Sequence, residues 1–124
     1  MGPINLERDD TEHPVPEDLR SKFRQIAIAF AADDFQLVQH SIDGVAPVDD
    51  ALAKYLKDSA TSYGNALAPL NEATWERSIY RWMDGYWQFL VDLTTENEPV
   101  SDLALHAILD ETSGQLQVTS VHVP

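Results

Sequence analysis

Trp75-Glu76-Arg77-Ser78-Ile79-Tyr80-Arg81-Trp82-Met83 runs into Asp84-Gly85 and out through Tyr86-Trp87-Gln88-Phe89-Leu90-Val91-Asp92-Leu93. Large apolar residues alternate with polar ones on both sides of the Asp-Gly pair. That pair suits a two-residue type I′ turn, in which both central residues need positive φ. Residues 75–83 and 86–93 therefore read as an antiparallel hairpin. It pairs Met83 with Tyr86, Trp82 with Trp87, Tyr80 with Phe89 and Arg77 with Asp92.

Downstream the period of two continues. Residues 94–100, with Asn97 and Pro99, read as a longer loop. Residues 101–110 form a third strand, Thr112-Ser113-Gly114 a tight turn, and residues 115–123 a fourth strand. With the loop centred near Asn97, Asp92 falls opposite Asp102 and Trp87 opposite Ala107. With the turn centred on Ser113, His106 falls opposite Ser120 and Ala104 opposite His122.

Upstream the period is helical. Pro16, Glu17 and Asp18 suit a helix start, and Leu19, Phe23, Ile26, Ala27 and Phe30 recur at i+3/i+4 spacing. Phe35-Gln36-Leu37-Val38 suggests a short second helix. Asp49 and Asp50 open another, with Leu52, Tyr55 and Leu56 on one side and Gly64 as its C-terminal cap. Residues 65–74, with Pro69, read as a connection. Residues 1–15 are acidic and proline-bearing, and read as a flexible arm. The expected fold is α+β: N-terminal helices (16–64) packed on one face of a four-stranded antiparallel β-meander (75–123), one domain over residues 16–124.

The register sorts the meander by face. One face holds Tyr80, Trp82, Trp87, Phe89, Val91, Leu93, Leu103, Leu105, Ala107, Leu109 and Val121, and the helices must cover it. The other holds Trp75, Ile79, Met83, Tyr86, Leu90, Ala104, Ile108, Asp110, Leu116 and Val118 with two polar rows. One row is Arg77, Asp92 and Asp102; the other is Arg81, Gln88, His106 and Ser120, and His122 lies beside them. A mosaic of this kind is either an ordinary half-solvated sheet or a binding surface.

Composition narrows the classes. The chain has 124 residues, 8 basic against 21 acidic side chains, a net charge of −13 and no cysteine. Without Cys there is no disulfide scaffold, thiolate metal site or thiol nucleophile. The charge opposes binding to nucleic acid, which needs clustered Lys and Arg, and to anionic membrane. The first ten residues lack an apolar leader segment, and the longest apolar run, Ile26 to Ala32, is too short to span a bilayer. The expected compartment is the cytoplasm.

No local catalytic motif is visible: there is no Gly-x-Ser-x-Gly elbow, phosphate-cradling loop or HExxH pair. The reading is non-enzymatic, with no cofactor and no metal. Charge position says more. No Lys or Arg follows Arg81, whereas Asp84, Asp92, Glu96, Glu98, Asp102, Asp110 and Glu111 do. Such asymmetry serves either solubility or steering toward a basic partner.

Tyr63-Gly64, Thr74-Trp75-Glu76, Ser78-Ile79-Tyr80, Trp87, Val91-Asp92-Leu93-Thr94-Thr95-Glu96, Ser101-Asp102-Leu103 and Val121-His122-Val123-Pro124 together resemble a family of small bacterial domains of unknown function. Where that family usually has Gly just before Ser-Asp-Leu, this chain has Pro99-Val100, which could alter the loop. The resemblance implies a helix-plus-meander fold and carries over no catalytic residue. Such domains look similar in size and acidity to bacterial immunity proteins, which neutralise a toxin. The expected function is therefore a bacterial immunity protein that neutralises a basic toxin domain by direct binding, through Asp84, Asp92, Glu96, Glu98 and Asp102. The helix-then-sheet order also looks like a nuclear-transport-factor-2-like cone, a small-molecule-binding or enzymatic alternative with a pocket at Tyr86, Asp102, His106 and His122.

Overall fold

The computed structural model describes residues 5–124. Its α+β architecture contains strand β1 (His13–Pro14), helices α1 (Glu17–Ala31) and α2 (Asp50–Tyr63), and strand β2 (Leu67–Ala68). A 3₁₀ turn (Glu72–Glu76) follows, then β3 (Ile79–Trp82), β4 (Tyr86–Asp92), β5 (Thr94–Thr95), β6 (Ala104–Asp110) and β7 (Leu116–His122). The main sheet is antiparallel in the order β1-β3-β4-β6-β7, and β2 pairs with β5 in a small second sheet.

Local chemistry explains the helices. Glu17 and Asp18 occupy the first turn of α1, where acids complement the helix dipole. Its stripe of Leu19, Phe23, Ile26, Ala27 and Phe30 is buried. Asp49 caps α2 by accepting from the Leu52 N–H at 2.8 Å, and Gly64 closes it at φ 96°. The expected helix at residues 35–38 does not form. Asp33 and Leu37 have positive φ, and the buried Asp34 carboxylate accepts from the Val38 and His40 N–H groups and from the His40 ring. A side chain thus satisfies backbone donors that a helix would have used internally.

The hairpin forms about Asp84 (φ 55°) and Gly85 (φ 124°), pairing Trp82 with Trp87 and Tyr80 with Phe89. Its first strand is shorter than the spacing suggests. Residues 72–76 take a 3₁₀ turn started by Asn71, whose side chain accepts from the Ala73 N–H. Trp75 is consequently not on the outer face; it is buried, with the guanidinium groups of Arg20 and Arg24 within 5.5 Å of its ring centroid.

Two register corrections follow. Asp92 pairs with Ala104, not Asp102, and Trp87 with Leu109, not Ala107. After Asp92 the chain leaves the main sheet to pair β5 with β2, and Leu93 bonds to both Ser101 and Leu103. The loop thereby absorbs two more residues than a turn centred on Asn97. A shift of two preserves every face assignment on β6. Between β6 and β7, Ala104 faces His122 and His106 faces Ser120 as expected, but a bulge then sets Ala107 against Val118. The extra residue, Thr119, donates its hydroxyl to the His106 carbonyl at 3.1 Å. Leu116 and Val118 therefore turn into the core rather than onto the outer face.

The described part of the arm packs on the sheet edge. His13 and Pro14 pair with Tyr80 and Ile79, Val15 and Leu6 are buried, and the Trp87 indole N–H donates to the Glu7 carbonyl at 2.9 Å. Proline is tolerated there because an edge strand need not donate outward. Residues 1–4 of the expected arm lie outside the described residues. The inner sheet face is filled: Trp87, Phe89, Val91 and Leu105 meet Phe23, Ile26 and Leu56, each essentially inaccessible to solvent. At about 25 cal/mol per Å² of apolar area buried, this layer supplies most of the stabilisation. Among the described residues no helix is long and apolar enough to cross a membrane.

Candidate functional site

The outer sheet face carries the candidate chemistry. Observed pairing aligns Ile79, Leu90, His106 and Ser120 in one row, and Asp92, Ala104 and His122 in the next. Arg81 and Gln88 align with Ile108, so the expected row joining them to His106 and Ser120 is displaced by one pair. The displacement is the two-residue loop correction seen from the other side.

At the end of the sheet nearest β5 lies a depression of about 400 Å³. Ile79, Leu90 and Ala104 are among its lining residues, with Val123, and Asp92, Asp102, Glu12 and Arg77 add charge. Asp92 Oδ2 is closed off from solvent and has no hydrogen bond among the described residues. Its nearest cation is Arg77, whose Nε stands 3.7 Å away on a side chain 75% exposed, against 21% for Asp92. Burial pushes the Asp92 carboxyl above its ordinary value; Arg77 opposes the rise and the Asp102 charge adds to it. A carboxylate so placed has more charge than its surroundings compensate.

Beside it the His106 and His122 rings stack at 4.1 Å and 13°. His106 Nε2 is closed off and has no hydrogen-bond partner among the described residues. Burial lowers the His106 pKa, and the neighbouring His122 lowers it further. Ser120 Oγ and His122 Nδ1 are 2.6 Å apart, and the Tyr55 hydroxyl of α2 lies 3.2 Å from the same oxygen. Ser120 thus bonds to His122 rather than to its cross-strand neighbour His106. Among the described residues no carboxylate hydrogen-bonds His122, which leaves this pair without the third group that orients a catalytic histidine. Nor does any group of three or more acidic or histidine side chains among them converge to hold a metal ion.

The structure divides the expected partner-binding set. Asp92 and Asp102 line the depression, and Glu96 is exposed on the adjoining loop. Glu98 is internally engaged: its carboxylate accepts from the Tyr63 hydroxyl at 2.9 Å, Asn65 at 3.2 Å and Thr95 at 3.1 Å. Asp84 sits at the hairpin tip, at the opposite end of β4. Tyr86 is likewise separated from the alternative pocket set. It faces Asp110, four residues along β4 from Leu90, or about 13 Å at the usual strand rise. Asp102, His106 and His122 remain at one end, on an open surface. The interior that a cone-shaped pocket would occupy is packed with side chains.

Glu12 and Val123 belong to the depression, although neither stands among the candidate site residues expected from the sequence. Glu12 arrives because β1 docks on β3, and the buried Leu6 and Val15 flanking this stretch were the available signal.

The chain matches no curated protein and no solved structure. A family model does match, across residues 27–124, from the end of α1 through the whole sheet except β1. The chain belongs to the family described as domain of unknown function (DUF7668).

Proposed function

We propose that this chain is a non-enzymatic acidic binding protein whose partner is a basic protein, docked on the outer sheet face at the Asp92 end. The partner class that the reading names is a cationic toxin domain, neutralised by being covered. The observation that carries it is the location of charge. Asp92 and Asp102 line one depression with Arg77 as its cation, and Glu96 is exposed on the loop between them in sequence, in a stretch with no Lys or Arg beyond Arg81. Four of the eight basic side chains form ion pairs elsewhere: Arg8 with Glu111, Arg24 with Glu17 and Glu72, Lys54 with Asp58, and Lys57 with Asp33. An acidic patch with few internal counter-ions raises encounter rates with a positive surface and discriminates against acidic ones.

Calorimetry against the product of a neighbouring toxin-like gene tests the proposal. Salt-sensitive binding is the expected result, and absence of binding at low salt rejects it.

A further inference from the structure

The depression at Asp92 is shaped for something more selective than a diffuse positive surface. Its apolar lining, Ile79, Leu90 and Ala104 with Val123, suits a hydrocarbon stem. Among the described residues its charged side chains are three carboxylates, Glu12, Asp92 and Asp102, against one cation, Arg77. Arg77 extends into solvent and does not hydrogen-bond Asp92. The volume of about 400 Å³ far exceeds the roughly 30 Å³ share of one water, so a side chain fits where a bare ion would rattle. Resting on the docking role above, we infer that this depression receives one arginine side chain of the basic partner, its guanidinium paired with Asp92 in the field of Asp102.

Arginine suits the site better than lysine for two reasons. Its planar fork can make two parallel bonds to a carboxylate, and it is less strongly hydrated than an ammonium. The second property matters at Asp92, where the partner cation must leave water to reach a mostly buried acid. An aromatic or aliphatic anchor would leave the carboxylate uncompensated, at the cost that attends any buried unpaired charge.

The test uses isotope-labelled full-length chain, followed by amide NMR at low salt. The probes are Nα-acetyl-arginine methylamide, the matching lysine compound, and a short Gly/Ser peptide with one central arginine. Both arginine probes should move the Leu90, Asp92 and Ala104 resonances, with the lysine compound at least about fivefold weaker. Asp92→Asn should abolish the response, whereas Asp58→Asn, which removes the same charge on α2, should not. Arg77→Gln, which removes the competing rim cation, should tighten the arginine probes about twofold or more. Equal lysine and arginine responses, a response centred elsewhere, or indifference to Asp92→Asn overturns the inference. Response to the free amide but not to the peptide also overturns it, since the site then takes a small molecule. A basic protein bound equally well by Asp92→Asn removes the arginine assignment and keeps the docking role. Arginine probes seated at Asp92 with no basic protein bound reject the docking role instead.

Discussion

Arg77 Nε lies 3.7 Å from Asp92 Oδ2, close enough to share charge and too far for a hydrogen bond. The acid is mostly buried and the base is mostly in solvent, so the attraction acts through a well-screened medium while the desolvation does not. The pair therefore leaves Asp92 only partly compensated.

Neutralising Asp92 should not harm the fold. Its carboxyl is held above the ordinary value of 3.8, by burial first, so the folded state binds this proton more readily than the unfolded state. The sign follows: Asp92 favours folding increasingly as pH falls through its raised pKa, and the gain is complete below 3.8. Asp92→Asn should melt no lower than the native chain at pH 7, with its advantage shrinking as the pH falls. Thermal melts at a series of pH values check this.

Asp34 behaves in the opposite sense. Burial works against its charge, but hydrogen bonds from the His40 ring and from the His40, Val38 and Gln39 N–H groups outweigh it and hold the pKa low. Its stabilisation is present above the ordinary value of 3.8 and is lost as pH falls through the lowered one. Asp34→Ala should cost about 2 kcal/mol or more, since several donors lose a charged acceptor. Urea denaturation of the two proteins measures it.

Thr119 decides which way the end of β7 faces. Thr119→Ala removes one hydroxyl bond to the His106 carbonyl and should cost about 1 kcal/mol. Deleting Thr119 removes the bulge and turns Leu116 and Val118 outward. That should cost at least about 3 kcal/mol, the burial of two aliphatic side chains, or prevent folding. Denaturant unfolding separates the two outcomes.

Glu98 and Glu96 are acids two residues apart with different roles. Glu98→Ala should destabilise by about 1–3 kcal/mol, because Tyr63, Asn65 and Thr95 lose their shared acceptor. Glu96→Gln should leave stability within about 0.5 kcal/mol, as exposed substitutions do, while slowing association with a basic partner. Stopped-flow association rates and melts, taken together, distinguish them.

The hairpin, both major helices and the inner face were legible because each rests on short-range rules: Asp-Gly turn geometry, a capping Asp, and periods of two and of 3.6. The shift at Asp92 was not legible, because the loop length depends on β5 pairing with β2, a long-range contact without local signature. The bulge at Thr119 likewise lacks a local signature: its hydroxyl bonds a carbonyl thirteen residues away. The docking of the arm's described residues was not legible, because the acidic, proline-bearing composition around them outweighs Leu6 and Val15, which bury themselves against the sheet. At the candidate site, Asp92 and Asp102 remained together because the shift was even. Asp84, Tyr86 and Glu98 separated from them because position along a strand and internal bonding are not properties of charge.

The most direct test is calorimetric affinity for a basic partner, measured at rising salt for the native chain, a Glu96→Gln/Asp102→Asn double variant and Asp84→Asn. Docking at the Asp92 end requires affinity to fall with salt and to weaken about 2- to 25-fold in the double variant, the range set by two exposed charge contacts. Asp84→Asn, at the opposite end of the sheet, should match the native chain. No binding at low salt, or equal weakening by Asp84→Asn, would contradict the account.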